Sequence, residues 1–426
     1  ILSNRFIIIY LVPFILGSLT VFSFQPFNFS LINFIIFPLI FSLIVYVKKR
    51  SISTYRKSKF YKKNLFLIGF LFGFGYFLCG TFWISYSLTF EENFKFLIPI
   101  SVILIPVFLG LFTAIATLVV GRYLNFNFTS ILLFSSSFAV SDYIRGKIFT
   151  GFPWNLVAYS WSWLTEILQI LNFLGLYAFN LVIITIFTLP ALLFLRIESY
   201  KKVLTLSLIF IFGFLTYIYG SFAINKNKAL INSIDNKNKI YVKVVSPNFE
   251  LKYDHTIEEI EKKLELLIKY SDPEPKQKTL FIWPEGVFTG YSFKEINLFK
   301  KLVAEKFNKN HLILFGINTY NDELKVFNSL IIINNKFEIQ YLYNKKKLVP
   351  FGEVLPFEVF LNKFGLKKIT QGLVSFTKGD LQKNFSYNNL NLLPLICYEI
   401  IFPELIQNSS KKTNLLVNIS EDGWFG

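Results

Sequence analysis

The sequence predicts a multi-pass α-helical membrane bundle followed by an α/β sandwich domain. Apolar residues make up 53% of the 426 residues, and the mean hydropathy of +0.48 is well above what a soluble domain of this size needs for its core. The long apolar runs all lie in the first half. At Asn225-Lys226-Asn227-Lys228 the composition changes sharply, and β-rich segments then alternate with amphipathic ones. Residues 1–224 therefore read as a membrane domain and residues 225–426 as a second, polar domain.

Seven runs are long enough to cross a bilayer as helices, near residues 5–23, 29–47, 64–84, 97–120, 127–144, 164–195 and 203–223. The fifth is diluted by Ser135, Ser136, Ser137, Ser141 and Asp142, and the sixth is long enough to tilt or to begin as an interfacial segment. The net charge of +17 is concentrated at the ends of apolar runs, which points to membrane topology and away from nucleic acid. Lys48, Lys49, Arg50, Arg56, Lys57, Lys59, Lys62 and Lys63 fill the second connection, Arg122 the fourth, and Arg196, Lys201 and Lys202 the sixth. Such loops face the cytoplasm. The alternate connections carry only Lys95, Arg145 and Lys147, so seven crossings from an inside N-terminus put the polar half outside.

Within the bundle, Gly69 and Gly73 form a GxxxG pair suited to close helix packing. Asp142 and Arg145 lie one turn apart near a membrane boundary, where ionisable groups are costly unless they pair or meet a lipid headgroup. In the polar half, residues 239–245 are β-rich. Thr256 and Glu259 make a capping box before the amphipathic Ile257, Ile260, Leu264 and Leu267. Residues 279–283 read as a buried strand. Ser292 with Glu295 opens a helix carrying Ile296, Phe299, Leu302 and Phe307 inward, and strands follow near 312–316, 328–334, 337–343, 392–397 and 414–419.

Cys79 and Cys397 lie far apart, so no disulfide framework is expected. His255 and His311 stand alone, so no metal site is expected, and no cofactor either. Three residues of the polar half suit acyl-transfer chemistry. Glu285 follows Trp283-Pro284 at a strand end, where a carboxylate is commonly solvated or helix-capping but can also serve as a general base. Lys345, Lys346 and Lys347 form a basic run of the kind that is usually solvated, yet the restricted, apolar Leu-Val-Pro-Phe-Gly-Glu353 follows it. Composition does not choose among the three lysines. Cys397 closes an apolar run and precedes Tyr398-Glu399. A thiol in such a place is often inert, but at a strand-to-helix turn beside an ammonium its pKa is expected to fall below about 8.5.

Together these blocks resemble a known family. Trp-Pro-Glu285, Lys345-x-x-Leu-Val-Pro-Phe-Gly-Glu353 and Cys397-Tyr398-Glu399 are similar to the three catalytic blocks of the nitrilase superfamily, in the membrane-integrated form found in apolipoprotein N-acyltransferases. Ser23-Phe24-Gln25-Pro26-Phe27 resembles that family's first-loop motif. The Arg145-Gly146-x-x-x-Thr150-Gly151-Phe152-Pro153-Trp154-Asn155 segment resembles its signature before the sixth span. The spacing to Leu-Val-Pro-Phe-Gly-Glu selects Lys345 from the basic run.

The resemblance implies a nitrilase-like α-β-β-α sandwich on the periplasmic side of the inner membrane of a Gram-negative-type bacterium. It implies a phospholipid acyl donor such as phosphatidylethanolamine, a diacylglyceryl-cysteine apolipoprotein as acceptor, and a monomer among membrane lipids. Cys397 would be the nucleophile, Glu285 the base and Lys345 an oxyanion stabiliser with the Tyr398 backbone N–H, while Glu353 and Glu399 would orient the lysine or relay protons. Trp154, Tyr253, Trp424 and Phe425 are the substrate-binding candidates, with Tyr253 standing where the family usually has a Trp. Ser420-Glu421-Asp422-Gly423-Trp424-Phe425-Gly426 carries Glu where members more often have Asn before the Asp. The chain has no methionine, even at its start, and family members continue with further strands and a closing transmembrane helix, so a truncated catalytic domain is expected. Two rival readings are a membrane-tethered carbon–nitrogen hydrolase, which would give the thioester to water, and a transporter or receptor. Few ionisable groups lie mid-helix, which argues against the latter.

Overall fold

The structure, a computed structural model, describes residues 6–54, 60–90, 92–194, 199–233, 240–252, 255–350, 352–354, 375–380, 383–407 and 412–425. It forms two compact units, Ile1–Thr89 with Asn93–Ile234 and Phe90–Glu92 with Asp235–Gly426.

The first unit is helical: α1 (Val12–Thr20, continuing a π turn at Ile7–Leu11), α2 (Asn33–Thr54), α3 (Phe60–Thr81), α4 (Ile98–Val120), α5 (Phe128–Arg145), α6 (Thr165–Leu168), α7 (Leu171–Thr188) and α8 (Ser199–Asn232). Among the described residues, five stretches are long and apolar enough to cross a membrane: Ser30–Arg50, Tyr61–Phe90, Phe94–Val120, Leu171–Leu193 and Lys202–Asn232. A shorter apolar helix covers Ile7–Ser23. These helices mark a membrane protein. Helix α8 runs on through Asn225–Lys228 to Asn232, because the Lys, Ala, Leu and Ile that follow the compositional break are good helix formers. The sixth apolar run is divided: α6 stands apart, and Gly175 breaks α7 with φ of 69°.

Side-chain chemistry explains how these helices fit. A Cβ on Gly69 would collide with Thr117 Oγ1, and one on Gly73 would collide with Thr113 Oγ1. The two threonines turn that closeness into interhelical hydrogen bonds, Thr113 to the Gly69 carbonyl at 2.8 Å and Thr117 to that of Leu65 at 3.1 Å. The serines that dilute α5 donate across to α4, Ser137 to Ala116 O and Ser141 to Phe112 O. Arg145 and Asp142 do pair, at 2.9 Å. Arg145 Nη1 also donates to the carbonyls of Phe152 and Trp154, each at 2.6 Å, while Asn180 donates to Asp142 Oδ2 at 2.9 Å. One buried guanidinium thus folds the Gly151–Asn155 segment back onto α5.

The second unit contains a five-stranded sheet of order β1-β2-β3-β4-β5 and a three-stranded sheet of order β6-β7-β8. The strands are β1 (Tyr241–Val244), β2 (Thr279–Ile282), β3 (His311–Tyr320), β4 (Val326–Ile333), β5 (Ile339–Asn344), β6 (Phe385–Tyr387), β7 (Leu390–Ile396) and β8 (Leu415–Ile419). Strands β1, β2 and β3 are parallel, β4 and β5 continue antiparallel, and β7 is parallel to β8. Alternation divides their side chains between two cores. Leu280, Ile282, Leu314, Leu330 and Ile332 pack with Leu392, Ile396, Val417 and Ile419 between the sheets. Phe281, Ile313, Phe315 and Ile331 face outward against α9 (Ile257–Ser271) and the segment holding α10 (Phe293–Ile296) and α11 (Lys300–Lys306). Beyond the second sheet, Leu395 meets Phe402 and Leu405 of α12 (Pro403–Gln407). The layers are α-β-β-α.

The capping box opens α9, with Glu259 N donating to Thr256 Oγ1 and Thr256 N to Glu259 Oε2. At Ser292, the Glu295 carboxylate accepts from both the backbone N–H and the hydroxyl, but the expected single helix is divided by a 3₁₀ turn at Asn297–Phe299. Strand β6 escapes the sequence pattern because three residues are too few to display a period of two.

Candidate active site

Three strand ends supply the site. Strands β2, β3 and β5 point the same way, so Glu285 after β2 and Lys345 after β5 emerge at one edge of the first sheet. Trp283 anchors the first of these turns: its ring is buried, its indole N–H donates to Ser271 Oγ at 2.9 Å, and its backbone N–H donates to Leu314 O. Gly316 of β3 passes so close that a Cβ there would lie 3.1 Å from Glu285 Cα. Cys397 follows β7 of the second sheet with φ of 51°. A side chain in this left-handed region is strained by roughly 1–2 kcal/mol, a feature that clusters at functional sites. Asn418 Nδ2 donates to the Cys397 carbonyl at 3.3 Å and ties the turn to β8.

Lys345 is 1% exposed. Its Nζ lies 2.9 Å from Glu353 Oε1 and 3.9 Å from Glu285 Oε1. Burial alone would lower its pKa, but Glu353, Glu285 and Cys397 outweigh that and raise it, so the ammonium is firmly charged. Asn328 Nδ2 donates to Glu285 Oε1 at 3.0 Å and to Glu353 Oε1 at 2.7 Å. Glu353 Oε2 in turn accepts from Val349 N at 2.9 Å, closing its own loop. Burial pushes the Glu285 pKa up, with Lys345 pulling against it.

The thiol differs from the sequence expectation. Burial pushes the Cys397 pKa up to about 11, the Glu285 charge adds to this, and Lys345 only partly offsets them, with a hydrogen bond from Ser420. A neutral thiol beside a carboxylate needs a proton acceptor to react, and of the two carboxylates whose charges reach it, Glu285 acts more strongly than Glu353.

Glu399 also departs from expectation, since among the described residues its partners do not include the Lys345 ammonium. It is 0% exposed and accepts from Tyr343 Oη, from the backbone N–H groups of Lys346 and Lys347, and from Ile396 N. It is a clasp between the segment after Lys345 and the turn of Cys397, and Glu353 is the carboxylate against the ammonium. The Tyr398 ring packs edge-on against Phe402 at 5.0 Å. Asp422–Phe425 forms a 3₁₀ turn that holds the partly buried Trp424. The side chain of Phe425 and all of Tyr253 lie outside the described residues. Trp154 belongs to the first unit, where its ring packs on Trp83 at 5.3 Å. Nothing local in the sequence marks Asn328 or Tyr343, since an Asn or a Tyr inside a strand carries no motif and only sheet register brings them to these carboxylates. Ser420 opens the block at the chain's last residues, but its bond to the thiol appears only once β8 lies beside β7.

Both halves match known families. Residues 16–189 match the apolipoprotein N-acyltransferase N-terminal domain and residues 251–426 match the carbon-nitrogen hydrolase domain. The chain belongs to the apolipoprotein N-acyltransferase family. It is an acyltransferase with a carbon–nitrogen hydrolase fold in its second unit. An apolipoprotein N-acyltransferase of Rhodopseudomonas palustris is 27% identical over 96% of this chain and 77% of its own. Another member of the apolipoprotein N-acyltransferase family, from Rickettsia prowazekii, is 29% identical over 91% of this chain and 75% of its own. Among solved structures, a carbon–nitrogen hydrolase from Helicobacter pylori is similar at 18% identity and a TM-score of 0.30, over 42% of this chain and 59% of its own.

Proposed function

We propose that this enzyme transfers an acyl chain from a phospholipid to the N-terminal α-amine of a diacylglyceryl-cysteine apolipoprotein, through a thioester on Cys397. The observation that carries this reading is the buried Lys345 ammonium, 2.9 Å from Glu353 and 3.9 Å from Glu285, with a thiol that responds to the charges of both Lys345 and Glu285.

Glu285 takes the Cys397 proton as sulfur attacks the ester carbonyl of the lipid. The tetrahedral oxyanion is stabilised by Lys345 and the Tyr398 backbone N–H. Collapse breaks the ester C–O bond, Glu285 returns its proton to the departing alkoxide, and lysophospholipid leaves a thioester behind. The acceptor amine then attacks the thioester, Glu285 takes a proton from it, and the thiol is regenerated with its proton as the amide forms. Splitting the transfer lets one lipid product leave before the second substrate arrives.

The membrane half supports a lipid donor that arrives by lateral diffusion, and the basic second, fourth and sixth connections fit a cytoplasmic face opposite the catalytic unit. Crossed from an inside N-terminus, the seven apolar runs of the sequence fit a catalytic unit on the periplasmic side of the inner membrane, and so does the odd number, five, of the described stretches long and apolar enough to span. The test uses purified full-length protein, phosphatidylethanolamine vesicles and a diacylglyceryl-cysteine peptide, followed by mass spectrometry. An acyl adduct on Cys397 that moves to the peptide α-amine is the expected result. Free fatty acid with no peptide product favours the hydrolase instead, and an adduct persisting in Cys397→Ala refutes the nucleophile.

A further inference from the structure

The geometry points to Asn328 as a positioning residue of this site: one neutral amide, donated to Glu285 and Glu353 together, keeps Glu285 available as the acceptor of the Cys397 proton. This rests on the reading of Glu285 as the base. Two carboxylates share one ammonium here, and they do so unequally. Lys345 Nζ hydrogen-bonds Glu353 at 2.9 Å, whereas its 3.9 Å separation from Glu285 is too long for a hydrogen bond. The ammonium therefore supports Glu285 by charge alone. Side-chain hydrogen bonding to Glu285 comes from Asn328 Nδ2, at 3.0 Å, and a further bond comes from the Glu421 backbone.

The second hydrogen of the same nitrogen goes to Glu353 at 2.7 Å. An amide is suited to this position because it carries two donors and no charge. A second cation would favour the carboxylate so strongly that Glu285 would accept a proton poorly. A hydrocarbon would leave a buried carboxylate with one donor fewer beside a second anion, and Glu285 would stay protonated. The charged and titratable groups facing Glu285 are Lys345 and Glu353 from the segment after β5, Cys397 from the turn after β7, and Glu421 from the segment after β8. Burial pushes the Glu285 pKa up while the Asn328 hydrogen bond draws it back. The main chain adds a second link, since Lys345 N donates to Asn328 O at 2.9 Å. That bond survives substitution of the side chain.

The test reads the thiol directly and needs no lipid. In full-length protein carrying Cys79→Ser, which leaves Cys397 as the one cysteine of these 426 residues, alkylation of Cys397 by iodoacetamide is read on its own peptide by mass spectrometry and followed across pH. Asn328→Ala is expected to move the acid limb to higher pH by on the order of one unit, slowing alkylation below that limb roughly tenfold. Asn328→Ser, which keeps one donor, is expected to fall between, and it carries the test alone if the alanine variant does not fold. A limb unmoved in the folded variant overturns the proposal. Glu285→Gln is expected to abolish the limb. If the limb persists there, the reading of Glu285 as base fails, and that failure is distinct from an unmoved limb in the Asn328 variants. Because alkylation involves no acyl donor, failure of lipid-to-peptide transfer leaves this result intact.

Discussion

The hydroxyl of Tyr343 reaches both carboxylate oxygens of Glu399, at 2.8 and 2.9 Å, and so joins the last strand of one sheet to the turn that ends β7 in the other. Glu399 also accepts the N–H groups of Lys346 and Lys347 on one side and of Ile396 on the other. The distance between the lysine and the thiol is therefore governed by a carboxylate that does not touch the ammonium. Tyr343→Phe removes the hydroxyl without removing the ring, and a lost hydrogen bond to a buried charge costs about 1.5–3 kcal/mol. The expected outcome is a lower thermal midpoint for the detergent-solubilised protein together with slower acyl transfer. An unchanged midpoint and rate would refute the clasp.

Removing the ammonium has a sign that follows from its charge. Lys345 favours the thiolate of Cys397, although burial and Glu285 still leave the thiol pKa at about 11. Lys345→Met takes away the favourable charge, so the thiol pKa rises further and the thiolate fraction at any pH below it falls. Alkylation of Cys397 should slow throughout the neutral range, on the order of tenfold per unit of rise. Faster alkylation in Lys345→Met would mean that the ammonium shields the sulfur more than it activates it.

How much was legible in the sequence follows from what each residue depends on. Glu285, Lys345 and Cys397 each end a strand inside a short local block, and local blocks survive reading in one dimension. Asn328 does not, because it reaches Glu285 and Glu353 through the pairing of β4 with β3 and β5, in which Asn328 lies opposite Asn318 and Ser329 opposite Asn344. The upward shift of the thiol pKa is hidden from the sequence for a related reason. A neighbouring lysine is visible as a motif, but depth of burial and a carboxylate from another strand are not. The membrane helices were legible as apolar runs, whereas the end of α8 was not, since polar residues that form helices readily extend it past the change in composition.

Gly316 offers a test of how tightly Glu285 is held. A Cβ at this position of β3 would stand 3.1 Å from Glu285 Cα and 3.1 Å from Ile419 Cδ1, one contact in each sheet. Overpacking of this kind costs typically about 1–3 kcal/mol. Here the strain falls on the turn that carries the carboxylate. Gly316→Ala should lower kcat with little change in KM for the acyl donor, as expected when a reacting group is displaced and not the bound substrate. Trimming the opposing side chain with Ile419→Val should recover part of the loss. A kinetic profile identical to the parent's would show that the two sheets yield freely at this point.

In the bundle, Arg145 bonds the carbonyls of Phe152 and Trp154 and the carboxylate of Asp142 at the same time. Asp142 passes the connection to Asn180, whose own Oδ1 accepts Ala158 N at 3.0 Å. Two helices and the loop between them thus depend on one planar group. Lysine keeps the charge but concentrates it at a single nitrogen and cannot reproduce the fork. Arg145→Lys should leave at least one of the carbonyls unsatisfied, at about 1–3 kcal/mol for a buried polar group, and lower the thermal stability of the helical unit. Alkylation of Cys397 should proceed at the parent rate, because that residue belongs to the other compact unit with its own cores. Equal stability of Arg145→Lys and the parent would mean that a charge alone, without the fork, suffices to hold the Gly151–Asn155 segment.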